Sequence, residues 1–421
     1  MQRATVASNE PSRAVLLAVE TDDGGWSAPE SLAELTRLAE TAGLEVVGEV
    51  TQRLDRPQAN SYIGKGKLHE LVEQKGSLRF DTVVADDELT PAQQRYLEER
   101  LDVQVLDRTA VILHIFSLHA RTREGRLQVE LAQYHYRLPR LTGRGVELSR
   151  LGAGINTRGP GESKLESDRR RIRRRISELS REIERIREQR SHNRSQRRSS
   201  GVPVIALVGY TNAGKSSLMN ALTGAEVLST DQLFATLDPT TRRMELPNHQ
   251  QVLLTDTVGF IQKLPTDLIA AFRATLEEIT EADVILHVAD ASSPQVDRQT
   301  EAVEDELEEL GVSNRPRVTA LNKVDLISEE RMKLLEKWFQ APVMISAVKG
   351  VGLHALETRL ADELAVSFVP IKVQIPYTMT EFVNLFRSRG MVETEDHRPE
   401  GTMISGRLPA TLLPDFQRFL P

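Results

Sequence analysis

The chain has 421 residues, no cysteine, and a formal net charge of −7. The missing cysteines exclude a disulfide framework and any thiolate metal site. A composition 39% hydrophobic and 27% charged fits soluble domains with ample core, about two to four of them at this length.

Residues 1–20 carry no apolar stretch long enough for a signal-peptide core plus cleavage site, and no run approaches the ~18 apolar residues of a membrane span. A cytoplasmic protein with no integral membrane segment is expected. Ala14 to Glu20 reads as a buried strand, and Leu32, Leu35, Leu38 and Ala39 recur at a helical period, with Gly43 as the stop. Strands follow at Leu44–Val50, Phe80–Ala85 and Val103–Leu106, with helices from about Leu68 and from Pro91. This alternation predicts a small parallel α/β domain over residues 1–112. Tyr62-Ile63-Gly64-Lys65-Gly66-Lys67 is glycine-rich and basic but lacks the strand and Ser/Thr of a phosphate loop, so a plain turn is expected, with a backbone–phosphate contact as the alternative.

The texture then changes. Leu127, Leu131, Tyr134, Leu138 and Leu141 form one heptad stripe, and Leu165, Ile172, Ile176, Leu179, Ile183 and Ile186 form another. Two helices joined by a Gly/Arg-rich loop predict an antiparallel helical hairpin, closed by a polar linker over residues 189–202. From Arg121 to Arg198, arginines outnumber acids by about eleven, so the acidic average conceals a basic arm. Arg144, Arg150, Arg158, Arg169 and Arg170 are the candidate RNA contacts. Arginine suits phosphate backbones, and the scarcity of aromatics in the tip argues for backbone and shape contacts with structured RNA rather than base stacking.

Residues 201–367 carry the densest chemistry. The apolar run Val204–Val208 ends in Gly209-Tyr210-Thr211-Asn212-Ala213-Gly214-Lys215-Ser216-Ser217, a phosphate-binding loop between strand and helix. Its backbone N–H groups and helix N-terminus would cradle a polyphosphate, Lys215 would reach the β- and γ-phosphates, and Ser216 would ligate Mg²⁺. Downstream, FATLDPTTR (Phe234, Ala235, Thr236, Leu237, Asp238 onward) offers two threonines, Thr236 and Thr241, as Mg²⁺ ligand and γ-phosphate sensor. Asp256-Thr257-Val258-Gly259 at a strand end supplies a water-mediated Mg²⁺ ligand in Asp256 and a γ-phosphate N–H in Gly259. Asn322-Lys323-Val324-Asp325 follows another strand. Asp325 can accept from guanine N1–H and the exocyclic amine, a donor pair that adenine lacks. Ser346-Ala347-Val348 would bring an N–H towards guanine O6. In this order, each at a strand end, the motifs predict a GTP-binding domain. Phe260 stands where related enzymes place a water-orienting glutamine; it cannot hydrogen-bond a water, so no catalytic side chain is assigned and slow intrinsic turnover is expected. The apolar stretch Leu268–Leu276 predicts a helix continuing this segment. Residues 368–421 read as a small α+β module.

With these motifs in view, the chain resembles the HflX family of ribosome-associated GTPases, within the Obg–HflX group. YIGKGK, QVLDRT, LQVELAQ, RGPGE, GYTNAGKSS, FATLDPTTR and DTVGFI carry the resemblance across nearly the whole length. It implies a P-loop GTPase domain preceded by a small α/β domain with a long helical hairpin (residues 113–200), and it assigns the Mg²⁺ ligand to Thr236. It also implies GTP-dependent binding of a monomer to the large ribosomal subunit and its rRNA, not to DNA, and the splitting or rescue of stalled ribosomes. An ATP-dependent rRNA remodeller with a regulatory GTPase domain is the alternative that the resemblance carries.

Overall fold

In a computed structural model the described residues are 11–21, 26–141, 160–199, 202–224, 233–234, 236–263, 276–366, 368–409 and 412–420, with backbone only at 160–165, 191–199 and 366. They fall into two compact units: residues 1–184 with 263–271, and residues 185–262 with 272–421.

The first unit holds a four-stranded sheet in the order β2-β1-β3-β4, formed by β1 (Arg13–Glu20), β2 (Glu45–Arg53), β3 (Thr82–Ala85) and β4 (Gln104–Asp107). Every pairing is parallel, as helix-linked strands require. Helices α1 (Ala28–Thr41), α2 (Lys65–Leu78) and α3 (Pro91–Leu101) connect them. Helix α3 starts where Pro91 predicts, with Thr90 and Gln93 forming a reciprocal capping box. Val15, Leu17, Val83, Ala85 and Val105 are fully buried in the core beneath α2 and α3.

Two expectations for this unit need correction. YIGKGK is not a plain turn. Tyr62 takes a left-handed φ of 64° with its ring buried, Gly64 is the N-cap, and Lys65 opens α2. The Gly64 N–H donates to Gln52 Oε1 at 2.8 Å, so it already has its acceptor. The second correction is an additional helix, α4 (Arg108–His119), capped by Asp107, whose side chain accepts from the Ala110 N–H. Its run RTAVILHIFSLH is apolar almost all round, so it shows no amphipathic period.

Helix α5 (Arg123–Arg140) and the long helix α6 (Pro160–Ser199) follow. The heptad residues Leu127 and Leu179 are buried. The polar stretch 189–199 is helical rather than a linker; its residues are polar but include neither glycine nor proline, and polarity alone does not end a helix. The boundary between the two units falls inside α6.

The second unit contains a six-stranded sheet in the order β10-β9-β8-β5-β7-β6: β5 (Val204–Val208), β6 (Thr240–Glu245), β7 (Gln251–Asp256), β8 (Val284–Asp290), β9 (Arg317–Asn322) and β10 (Val343–Met344). Only edge strand β6 runs antiparallel, against β7. From β5 the chain goes first to β6 and β7 on one side and then crosses to β8, β9 and β10 on the other, so β5 is the topological switch point where open α/β sheets bind ligands. Helix α7 (Lys215–Thr223) leaves the loop after β5. A three-stranded antiparallel sheet, β11 (Val369–Ile375), β13 (Gly401–Leu408) and β12 (Met391–Arg398), completes the unit with α8 (Thr380–Arg389). Phe386 and Phe416 are buried edge-to-face between them.

A candidate guanine-nucleotide site at the switch point

The loop after β5 folds as its glycines dictate. Gly209 has φ +156°, and a Cβ there would lie 2.1 Å from the Val288 carbonyl oxygen. Gly214 has φ +91°, and its Cβ would lie 2.3 Å from Asn322 Nδ2. No side chain fits either position. The loop surrounds a cavity of about 360 Å³.

Lys215 is buried, its Nζ donating to the carbonyls of Gly209 and Tyr210 at 3.0 Å each. Burial pushes it down to about 8, although the Asp256 carboxylate opposes the shift. A buried ammonium held only by backbone oxygens is suited to an incoming phosphate. Beside it, Ser216 Oγ and Thr236 Oγ1 lie 2.8 Å apart, and both donate to Asp256 Oδ2, at 2.8 and 3.0 Å. Burial pushes the Asp256 carboxyl up, outweighing Lys215 and the two hydroxyls. Asp256 Oδ1 is buried without a partner. Three oxygen donors converging with an orphaned carboxylate oxygen are the donor set a hard cation takes, so these residues fit Mg²⁺. Thr241 is elsewhere, paired with Thr255 across β6 and β7.

The base end is tied to the phosphate end by one side chain. Asn322 Nδ2 donates to the Ala213 carbonyl at 2.9 Å, while its Oδ1 accepts from the Ala347 N–H at 3.0 Å. Lys323, at φ 66°, donates to the Asn212 carbonyl (2.8 Å) and pairs with Asp290 (2.6 Å). Asp325 is exposed and lines the cavity.

Of the residues expected from sequence, Thr211, Asn212, Gly214, Lys215, Ser216, Ser217, Phe234, Thr236, Thr257, Gly259, Asn322, Lys323, Asp325, Ser346 and Val348 all line one cavity. Gly209, Tyr210, Ala213, Leu237, Asp238, Asp256, Val258, Val324 and Ala347 stand behind it or beside it. Ala235 lies outside the described residues, as does most of the helix expected at Leu268–Leu276. Leu326 was not anticipated: it lines the cavity while 66% exposed. No local periodicity signals it. Asp290 was also missed, because its role depends on the β8–β9 register that sets it opposite Asn322.

Phe260 is buried and hydrogen-bonded through its backbone. Its N–H donates to the Gly209 carbonyl and its carbonyl accepts from the Thr211 N–H at 2.7 Å, stitching DTVGF to the phosphate loop.

Comparison with known proteins bears on the whole chain. The model described as "GTP-binding GTPase N-terminal" matches residues 29–117, "GTP-binding GTPase Middle Region" matches 119–197, and "50S ribosome-binding GTPase" matches 204–323. GTPase HflX of Caldanaerobacter subterraneus subsp. tengcongensis is 44% identical over 98% of this chain and 95% of its own. This chain belongs to the HflX family of GTPases. Its HflX relatives include those of Lacrimispora saccharolytica, 46% identical over 95% of this chain and 94% of that one, and Escherichia coli K12, 39% identical over 90% of each. A crystal structure of SsGBP with GDP aligns at TM-score 0.45 and 27% identity, covering 83% of this chain and 98% of that one. As an HflX-family member the chain is a GTP-hydrolysing enzyme that works with Mg²⁺.

The arm is only partly described. Arg144, Arg150 and Arg158 lie outside the described residues. Arg170 is exposed, and Arg169 is half-buried with Nε unpartnered. Arg175 is not free for RNA, because both its Nε and Nη2 donate to Glu130 at 3.0 Å. No helix among the described residues is long and apolar enough to cross a membrane.

Proposed function

We propose that this HflX-family GTPase is a cytoplasmic monomer that binds the large ribosomal subunit in its GTP state and splits or rescues stalled ribosomes. The observation that carries this reading is the arginine row of α6. Arg169, Arg170, Arg171, Arg173 and Arg174 have no acid partner among the described residues, and they belong to the same chain as the nucleotide cavity. The "50S ribosome-binding GTPase" match supports it. Arg144, Arg150 and Arg158 belong, on this reading, to the RNA-facing tip.

In the cavity, the N–H groups of the Gly209–Ser217 loop and Lys215 hold the phosphates, Asp325 selects guanine, and the backbone at Ser346–Val348 closes over the base. Ser216, Thr236 and, through water, Asp256 would hold Mg²⁺, which when bound would offset the negative charge that develops on the phosphate oxygens. Gly259 meets the γ-phosphate through its N–H. Phe260 supplies no hydrogen bond from its side chain, so the attacking water is positioned by groups that the free protein does not hold in place, and the ribosome supplies that ordering. Co-sedimentation with ribosomal subunits in GDP and in a non-hydrolysable GTP analogue tests binding. The analogue is expected to favour the large subunit, and Arg150→Glu with Arg158→Glu is expected to weaken it. Unchanged binding by that double variant would sink the tip reading, and equal GTP turnover with and without large subunits would sink the activation.

A further inference from the structure

Helix α4 is apolar almost all round, so one packing partner cannot cover it. Its buried Val111 and Leu113, with the half-buried Ala110, line a cavity of about 420 Å³ in the first unit. Leu44, from the turn before β2, and Leu106 of β4 extend the apolar lining. Helix α5 contributes Gln133, Tyr136 and Arg137, spaced three and four apart and therefore on one face. The cavity shares no residue with the guanine-nucleotide site.

Four side chains in that lining, Gln104, His114, Gln133 and Arg137, have no partner for their polar atoms among the described residues. Polar groups next to them are matched. Tyr136 donates its hydroxyl to Asp107 at 2.9 Å. Arg140, three residues after Arg137 on α5, donates to Gln94, Tyr136, Leu89 and Asp107 at 2.7–3.1 Å. A ligand can therefore take the four open side chains without breaking a bond inside the protein, which keeps the cost of binding low. No aspartate or glutamate lines the cavity, and Arg137 is its permanent cation. An apolar lining with a few convergent polar groups is the make-up of a small-molecule site.

The chemistry of the set narrows the ligand. A single guanidinium suits a single carboxylate, which it can grip with two parallel N–H bonds. Gln104 and Gln133 each offer a donor and an acceptor, the pair that a secondary amide matches, and His114 adds a ring nitrogen. The leucines and Ala110 suit a hydrocarbon side chain. A polyphosphate fits poorly. No glycine lines the cavity, and the Ala110 N–H at the start of α4 is already taken by Asp107 at 2.8 Å. We propose that this cavity binds a small monocarboxylate with an amide and an apolar body, the chemistry of an N-acylated apolar amino acid. Its carboxylate pairs with Arg137, its amide meets Gln104 and Gln133, and its hydrocarbon covers Leu106, Ala110 and Leu113. The site stands independently of the ribosome reading.

The test titrates the full chain, saturated with GDP to occupy the nucleotide site, by calorimetry in a carboxylate-free buffer. N-acetyl-L-phenylalanine is expected to bind saturably, one molecule per chain. Its carboxamide, with the same body and no charge, is expected to bind about tenfold more weakly or worse, and acetate, which has no apolar body, to give no heat. Arg137→Gln should weaken the acid by about the same factor and close the gap between acid and amide, with Tm held because the side chain makes no internal bond. Ala110→Phe should abolish binding by filling the apolar lining; Arg137→Gln keeps the test readable should that variant not fold. Equal affinity for acid and amide, or wild-type affinity in Arg137→Gln, would overturn the carboxylate. No saturable binding by the N-acetyl acids of leucine, phenylalanine and tryptophan would overturn the site. Displacement of the acid by ATP would overturn the exclusion of polyphosphates, and a peptide ending in a free phenylalanine that binds more tightly than the acid would overturn the small molecule as occupant.

Discussion

Asn322 is the side chain through which base recognition and phosphate binding share one scaffold, and Asn322→Ala is the sharpest test of that role. Its amide is 2% exposed, so neither partner it abandons can turn to bulk water. Truncation strands the Ala213 carbonyl on the phosphate loop and the Ala347 N–H on the base loop. Each buried group left unmade costs about 1–3 kcal/mol, and together on the order of 2–4 kcal/mol after partial relaxation. Were all of this expressed in nucleotide affinity, Kd for GDP would rise by about 30-fold to about 10³-fold. Whatever fraction appears as lost stability of the free protein subtracts from that rise, so thermal melts of the free protein accompany the titration. A fluorescent GDP analogue gives the affinity. Asn322→Asp keeps the acceptor for Ala347 but places a carboxylate against the Ala213 carbonyl, and is expected to bind more weakly still. An affinity within threefold of wild type, with an unchanged melt, would refute the coupling.

The two candidate threonines separate cleanly: Thr236→Ala is expected to cut GTP hydrolysis by about 10²-fold, the scale of losing one preorganised transition-state contact, while Thr241→Ala, which breaks only a strand-to-strand hydroxyl pair, stays within about twofold in the same steady-state assay. His287 is buried in β8, and burial, then Arg317, then Lys215 hold its imidazole at about 3, against an ordinary 6.5. Its folded pKa is depressed, so its contribution is complete above pH 6.5 and is lost as pH falls towards 3. Denaturant melts should show a loss of about 2 kcal/mol at pH 5 relative to pH 8, and His287→Asn should remove that slope. Arg108 is fully buried between Asp86 and Glu34 at 2.6 Å each. Arg108→Met is expected to cost about 3–5 kcal/mol by taking the buried guanidinium away from Asp86 and Glu34, although Lys263 still holds Asp86, whereas Arg13→Ala, at an exposed pair with Glu45, should cost less than about 1 kcal/mol in the same urea titration.

What the sequence made legible was what short range determines. Strands β1, β5 and β8 are apolar runs between turn residues, and the nucleotide motifs sit at strand ends because phosphate chemistry needs contiguous N–H groups. The misses share a different cause. Helix α4 is too uniformly apolar to show a period. Residues 189–199 are too polar to announce a helix, though nothing in them breaks one. The Arg175–Glu130 pair and the Asp290–Lys323 pair need partners 45 and 33 residues apart, which only the fold brings together.

The same cause explains why YIGKGK and QVLDRT could be recognised but not interpreted locally. In the first unit they converge on one acidic pair. Tyr62 donates its hydroxyl to Asp87 at 2.6 Å, and Arg108, the arginine of QVLDRT, pairs with Asp86. Burial alone would push the Asp86 carboxyl up, but Arg108 and Lys263 outweigh it and hold it below the usual carboxylate range. Lys263 groups with this first unit and donates to Asp86 and Asp87 at 2.5 and 2.6 Å, although it stands only four residues after Gly259 of the DTVG motif. The glycines and lysines of YIGKGK suggested a phosphate, yet the Gly64 N–H goes to Gln52 and the motif's tyrosine goes to an aspartate. The motif therefore helps build a receptor for a lysine rather than for an anion. With Arg108 beneath Asp86 and the Tyr62 hydroxyl on Asp87, the two acids present one ammonium-binding surface.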